Sequence, residues 1–262
     1  MTDAWPRKRF GQNFLHEKKI IQKIILGIAP HPGDHFVEIG PGKGALTASL
    51  ARTAARLDVI EIDRDLVARL RQQKWADAIH IHEADALQFD FAMLDSNSMR
   101  LVGNLPYNIS TPLLFHILRQ AELFTDIHVM LQKEVVDRMA AGPGSKTYGR
   151  LSVALAARCI VEPLFNIKPG AFTPAPKVDS SFARLVPLAV PLIDADTTPA
   201  FEAVVTSAFG MRRKKLGNSL AKLLNKKDII AADVDPSQRA EELSVQAFVR
   251  LAEQYLQHAG QL

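Results

Sequence analysis

The chain has 262 residues, 47% of them hydrophobic, with a formal net charge of +4 and a single cysteine, Cys159. That is material for one large core, or for a core plus a small second domain. It excludes an internal disulfide, and no apolar run approaches the roughly 20 residues of a membrane span. The opening stretch, MTDAWPRKRFGQNFLHEKK, lacks the apolar centre of a secretory signal, so a soluble cytoplasmic chain is expected.

From residue 36 onward, short apolar runs alternate with helical patterns. FVEIG (36–40) reads as a strand and ALTASLARTA as the helix after it; DVIEID (58–63) is followed by RDLVARLRQQ in the same way. IHIH (79–82) is a strand. RLVG (100–103) is another, followed by the helix TPLLFHILRQ, which Ser110 or Thr111 can cap. IHVMLQ (127–132) leads into the helix KEVVDRMAAG. Buried strands alternating with amphipathic helices predict a parallel sheet covered on both faces. CIVEPLFNI and SSFARLVPL read as two late strands, an antiparallel hairpin at the sheet edge.

After Leu185 the pattern changes. VPLAVPLIDADTTPA is proline-rich and aperiodic, a linker. FEAVVTSAFGM, KLGNSLAKLL and VQAFVRLAEQYLQHA, beyond it, are helical patterns without strands. The expected organisation is α/β: a Rossmann-like domain over residues 1–186 and a small all-α domain over 187–262.

Charge is concentrated rather than spread. Residues 1–25 hold six Lys or Arg against two acids, and residues 205–230 hold seven against Asp228 alone. The remainder is net acidic. Two basic patches on an acidic body point to a polyanionic partner such as nucleic acid. In MRRKKL, Arg212, Arg213, Lys214 and Lys215 are consecutive cations. On a helix they would span most of its circumference, which suits contact with a phosphate backbone.

VEIGPGKGALT follows the first strand and opens a helix. Gly40, Gly42 and Gly44 let a backbone approach a ligand there. Read as G-x-G-x-x-A the loop is a degenerate dinucleotide fingerprint. Read as E-x-G-x-G-x-G it is the loop of S-adenosylmethionine (SAM) enzymes. Glu61, ending the second strand, suits the ribose of either cofactor. Asp85, after the third, suits the adenine amine and fits SAM better than NAD. Three such groups at successive strand ends face the crevice where open α/β sheets bind ligands.

NLPYNIS (104–110) falls at the end of the fourth strand, beside that crevice. A turn needs neither the amide of Asn104 nor the ring of Tyr107. Chemistry on an adenine does. The N6 amine is a poor nucleophile because its lone pair is delocalised into the ring. The Asn104 side-chain oxygen and the Leu105 carbonyl can accept from its N–H groups, with Pro106 fixing the chain. Tyr107 offers a ring for an extruded base.

NLPY beside E-x-G-x-G-x-G resembles the N6-adenine methyltransferases. KRFGQNFL (8–15), VEIGPGKGALT, NLPYNIS, LQKEVVDRM (131–139) and FTPAPKVDSS (172–181) occur in that order. Together they closely resemble the bacterial small-subunit rRNA adenine dimethyltransferases over nearly the whole chain. The resemblance implies SAM as cofactor and 16S rRNA of the immature small subunit as partner. Two adjacent adenosines near its 3′ end would become N6,N6-dimethyladenosine. By the same resemblance, Asn13 and Leu15 close over the cofactor, Gly40, Glu61, Asp85 and Asn104 line its pocket, and Phe172 stacks on the base opposite Tyr107. Ala84 departs from the glycine usual before that acid. A monomer is expected.

His80 and His82 share a strand face, but without a third ligand they do not make a metal site; no metal and no nucleophilic triad are expected. The rival readings are the related large-subunit rRNA methyltransferase that confers macrolide resistance, a ribosome-assembly factor that needs no methylation, and a nicotinamide oxidoreductase. FTPAPKVDSS and FGMRRKKLGNSL disfavour the first. The intact glycine loop and NLPY disfavour the second. The third explains neither NLPY nor the basic patches.

Overall fold

The computed structural model describes residues 12–96, 98–211 and 213–259. In chain order the principal elements are β1 (Phe14–Leu15), α1 (Lys18–Ile28), β2 (His35–Ile39), α2 (Thr47–Leu50), β3 (Arg56–Glu61), α3 (Arg64–Leu70), β4 (His80–Glu83) and β5 (Met99–Asn104). They continue with α4 (Ser110–Leu118), β6 (Phe124–Gln132), α5 (Lys133–Met139), α6 (Arg150–Ala156), β7 (Cys159–Ile167), β8 (Phe172–Thr173) and β9 (Ser180–Pro187). Last come α7 (Thr198–Gly210), α8 (Leu216–Ser219), α9 (Lys226–Ala231) and α10 (Val245–Ala259).

Seven strands form one sheet in the order β4-β3-β2-β5-β6-β9-β7. β2 to β6 pair in parallel, and β9 is antiparallel to β6. Residues 36–39 of β2 and 57–61 of β3 are buried without alternation, as expected of strands covered on both faces. One such layer gathers Phe36, Leu57, Val102, Met130 and Phe182 against Ile24, Ile28 and Leu50. The late hairpin forms as expected. The Leu188 N–H donates to the Arg158 carbonyl, and Ser181 Oγ to the Phe165 carbonyl, so β7 and β9 run in opposite directions at the edge.

β2 lies between β3 and β5. From it the chain builds outward one way through β3 and β4, and then returns to build the other way through β5 and β6. The switch point, where α/β folds bind ligands, is therefore between β2 and β5, where Ile39 pairs with Gly103.

The chain divides into two compact units, Met1–Val136 with Glu162–Pro187, and Asp137–Val161 with Leu188–Leu262. The second is not a single C-terminal stretch. Segment 137–161, assigned to the first domain from the sequence, supplies Tyr148, Val153 and Ala157 to the core formed by Phe201, Val204, Leu220, Phe248 and Leu251. Tyr148 Oη donates to the Leu243 carbonyl at 2.9 Å, inside that core. KLGNSLAKLL is not one helix: only Leu216–Ser219 is helical. The Leu216 and Gly217 N–H groups donate to the Gln238 and Pro236 carbonyls, which sets the direction of this turn. Among the described residues, no helix is long and apolar enough to cross a membrane.

Candidate active site

The glycine loop leaves β2 with Gly40 hydrogen-bonded to the Ile60 carbonyl at 2.9 Å. Two positions in it exclude other residues. Gly42 has φ +58°, and a Cβ there would stand 3.1 Å from the Phe14 ring. Gly44 has φ +83°, and its Cβ would stand 2.7 Å from Trp75. Both combine a left-handed backbone with a close neighbour, so only glycine fits. The expected ten-residue helix after the loop contracts to α2, flanked by turns.

Glu61 closes β3 beneath this loop. Its carboxylate accepts from the Gly42 N–H at 3.3 Å and the Asp63 N–H at 2.9 Å. Burial raises its pKa, and those two N–H groups oppose the shift. Asp85, past β4, accepts from the Leu87 N–H at 2.9 Å. Ile62, next in sequence to Glu61, remains 46% exposed and presents apolar surface to the same cavity. Glu38, the acid of E-x-G-x-G-x-G, is buried beside the loop. Burial pushes its carboxyl up to about 7; Thr47 opposes the shift and the Glu61 charge adds to it.

Across the switch point, Asn104 ends β5. Its Nδ2 donates to the Asn13 carbonyl at 2.8 Å. This identifies which end of the amide is nitrogen, and it leaves Oδ1 as the acceptor. The Leu105 N–H continues the ladder to the Met130 carbonyl at 3.1 Å. Tyr107 is half-buried, and its hydroxyl meets Ser180 Oγ at 2.6 Å. Burial raises the Tyr107 pKa, with the Ser180 hydrogen bond opposing. Ser110 does not cap α4 as expected. It is the first helical residue, and its Oγ donates back to the Tyr107 carbonyl at 3.2 Å, which tightens the NLPY turn.

One cavity of about 990 Å³, counting its open mouth, is lined by Asn13, Gly40, Gly42, Glu61, Asp85 and the whole Asn104–Leu105–Pro106–Tyr107 segment. Gln12 and Phe14 join them. Gln12 Nε2 donates to Asp63 at 3.2 Å, so the segment before β1 is tied to the glycine-loop side.

Two expected residues fall outside this cavity's lining. Phe172 pairs with Leu15 in the small β1–β8 ladder, is 2% exposed and belongs to the core. The expected stack on a base opposite Tyr107 is therefore not available to it in this arrangement. Leu15 is likewise buried, and lines a smaller hollow behind the glycine loop with Glu38 and Lys43. The basic residues 7–9 ahead of GQNFL lie outside the described residues, and so does Arg212. Arg213, Lys214 and Lys215 are exposed, but in a turn rather than on a helix. α7 ends at Gly210, the Lys214 N–H closes on the Met211 carbonyl at 2.8 Å, and Lys215 is extended. His82 holds Asp58 at 2.6 Å, opposite His35 at 2.7 Å, in a structural cluster within β2–β4.

Ser180, Phe14 and Ile62 were not singled out from the sequence. The first two lie in stretches that were, VDSS and GQNFL. Ile62 lies between Glu61 and Asp63, and an apolar residue there reads as ordinary strand.

A mostly parallel sheet with a glycine loop after β2 and acids at the ends of the next two strands is that of a Rossmann-like methyltransferase. A sequence profile of the ribosomal RNA adenine dimethylase family matches residues 5–257, and the chain belongs to that family. It is 53% identical over 250 residues to a protein of Pseudomonas fluorescens named ribosomal RNA small subunit methyltransferase A, covering 94% of this chain and 92% of that one. To the protein of the same name from Pseudomonas aeruginosa it is 51% identical over 257 residues, covering 97% and 96%. Among solved structures, a dimethyladenosine transferase from Plasmodium falciparum shares the fold with a TM-score of 0.82 at 24% identity, over 94% of this chain and 98% of that one. The 23S rRNA methyltransferase ErmE superposes with a TM-score of 0.71 at 26% identity, over 92% and 99%.

Proposed function

We propose that this enzyme uses SAM to dimethylate N6 of two adjacent adenosines near the 3′ end of 16S rRNA, in the cytoplasm, while the small ribosomal subunit matures. The observation that carries this reading is the single cavity that holds both the glycine loop with its two acids and the NLPY segment. The choice of 16S over 23S rRNA is supported by 51–53% identity, over nearly the whole chain, to proteins named ribosomal RNA small subunit methyltransferase A.

The cavity suits the proposed cofactor. A desolvated carboxylate that already accepts two backbone N–H groups can take a ribose diol in charge-assisted hydrogen bonds. Asp85 can accept from an adenine amine while Ile62 covers the ring. Asn13 and Phe14 lie over the glycine loop. When bound, SAM supplies a methyl group already activated on a sulfonium. The chain's own contribution is then alignment and electrostatics. Asn104 Oδ1 accepts from the target N6–H and restores lone-pair density to that nitrogen, and the Tyr107 ring carries the base. Arg213, Lys214 and Lys215, together with Arg212, bind rRNA phosphates and do no chemistry.

The decisive experiment maps dimethylated adenosines in rRNA from cells with and without the gene. Loss of an adjacent pair in 16S rRNA is the expected result. An unchanged 16S pattern, or loss of a mark in 23S rRNA instead, overturns the reading.

A further inference from the structure

The FTPAPKVDSS stretch needs a different explanation once Phe172 is found in the core. Its last residues reach the site by another route. β9 begins at Ser180 and pairs with the end of β6, Ser180 opposite Gln132 and Phe182 opposite Met130. β6 in turn pairs with the end of β5, Met130 opposite Asn104. The Lys133 N–H donates to the Asp179 carbonyl at 2.9 Å and fixes where β9 starts. The strand ends thus deliver the fully buried Ser180 hydroxyl to the Tyr107 hydroxyl, 2.6 Å away.

Tyr107 follows Pro106 in a turn and is only half-buried, so its ring is not held by packing on all sides. A tyrosine ring that carries a base must present one face in one orientation, and backbone geometry alone leaves more than one staggered rotamer open to it. The Ser180 hydrogen bond holds the far end of the ring, while the Ser110 hydrogen bond to the Tyr107 carbonyl fixes the backbone that carries it. We infer that Ser180 is a positioning residue for base transfer: through the Tyr107 hydroxyl it holds the ring in the orientation that stacks the target adenine. The inference rests on the reading of Tyr107 as the base platform.

A hydrogen bond of ordinary net strength corresponds to a few-fold to about tenfold in rate when it acts on alignment. Tyr107→Phe keeps the ring and removes the bond; Ser180→Ala removes it from the other side. Each should lower kcat by about three- to tenfold, with SAM affinity unchanged. The double variant should lose no more than the worse single variant, because both delete the same interaction. If Ser180 only supports the start of β9, its loss is independent of the Tyr107 hydroxyl and the two effects multiply, which overturns the inference. Tyr107→Ala separates the two levels of the argument. A wild-type rate in that variant removes the platform reading itself. A large loss there, beside wild-type rates for Tyr107→Phe and Ser180→Ala, keeps the platform and removes the role of Ser180.

Discussion

Replacing Asn104 by Ala tests the chemistry most directly, and the structure separates its two consequences. The side chain has two ends. Nδ2 is committed to the Asn13 carbonyl at 2.8 Å, so its removal loosens the segment that lies over the glycine loop. A hydrogen bond of this kind contributes roughly 0.5–1.5 kcal/mol, so SAM affinity should fall no more than about tenfold. Oδ1 is the acceptor left for substrate. Losing one preorganised electrostatic group at a reacting centre costs about 10²–10³ in rate, roughly 2.7–4 kcal/mol. The expected pattern is therefore a large fall in kcat, a small rise in SAM Kd and unchanged RNA affinity. Asn104→Asp sharpens it. The carboxylate keeps an acceptor but sets an oxygen against the Asn13 carbonyl, so SAM binding should weaken more than in Asn104→Ala. The assay is single-turnover transfer from methyl-labelled SAM to small subunits that lack the modification, with SAM calorimetry and RNA filter binding alongside. A kcat within threefold of wild type refutes the role of Asn104, and so does a loss confined to RNA affinity.

Three further outcomes are expected. Glu61→Ala should weaken SAM at least tenfold by calorimetry, since charge-assisted hydrogen bonds contribute roughly 1.5–3 kcal/mol each; unchanged affinity rejects the cofactor geometry. Glu38 binds its proton more tightly in the folded state, at about 7 against 4.5 unfolded, so its contribution to stability is full below about pH 4.5 and is lost as pH rises through 7. Urea unfolding of the SAM-free enzyme should then show wild type losing up to about 3 kcal/mol relative to Glu38→Gln between pH 4.5 and 8, and parallel pH curves would refute the shift. Changing Arg212, Arg213, Lys214 and Lys215 together to Gln should flatten the salt dependence of RNA binding by up to about three log units per log unit of salt, with SAM affinity unchanged; equal salt slopes would return these residues to a solvated surface.

The parts of the fold that could be read from sequence are those where burial leaves a local mark. β2, β3, β5 and β6 are buried at most positions and each carries a short apolar run because both faces are covered, and their expected positions lie within a few residues of the observed ones, apart from an earlier start to β6 at Phe124. The glycine loop, Glu61, Asp85 and Asn104 were legible because each sits at a strand end, and strand ends in a parallel sheet converge. Features that depend on partners far along the chain left no such mark. The β1–β8 ladder is two residues long and joins positions about 160 apart. Segment 137–161 belongs to the helical unit because Tyr148 meets Leu243, a contact that no periodicity announces. From sequence, MRRKKL is considered on a helix, yet α7 stops at Gly210 and Arg213, Lys214 and Lys215 fall in a turn.

Phe172 and Ser180 show how strand pairing sorts the residues of one motif. An aromatic ring beside two prolines in FTPAPKVDSS looks like the group that meets a base, while a serine at a strand start looks like a turn residue. Which of them reaches the site depends on pairing, not on side-chain type. Leu15 draws Phe172 into the core, whereas Gln132 and the β6 register draw Ser180 to the end of β5 and NLPY. A buried ring can be replaced by another apolar group of similar volume at modest cost. A buried hydroxyl 2.6 Å from a tyrosine cannot lose its partner without leaving a polar group unsatisfied. If Ser180 positions Tyr107 as inferred, the constraint the site places on this stretch falls on the serine, the smaller and less conspicuous of the two.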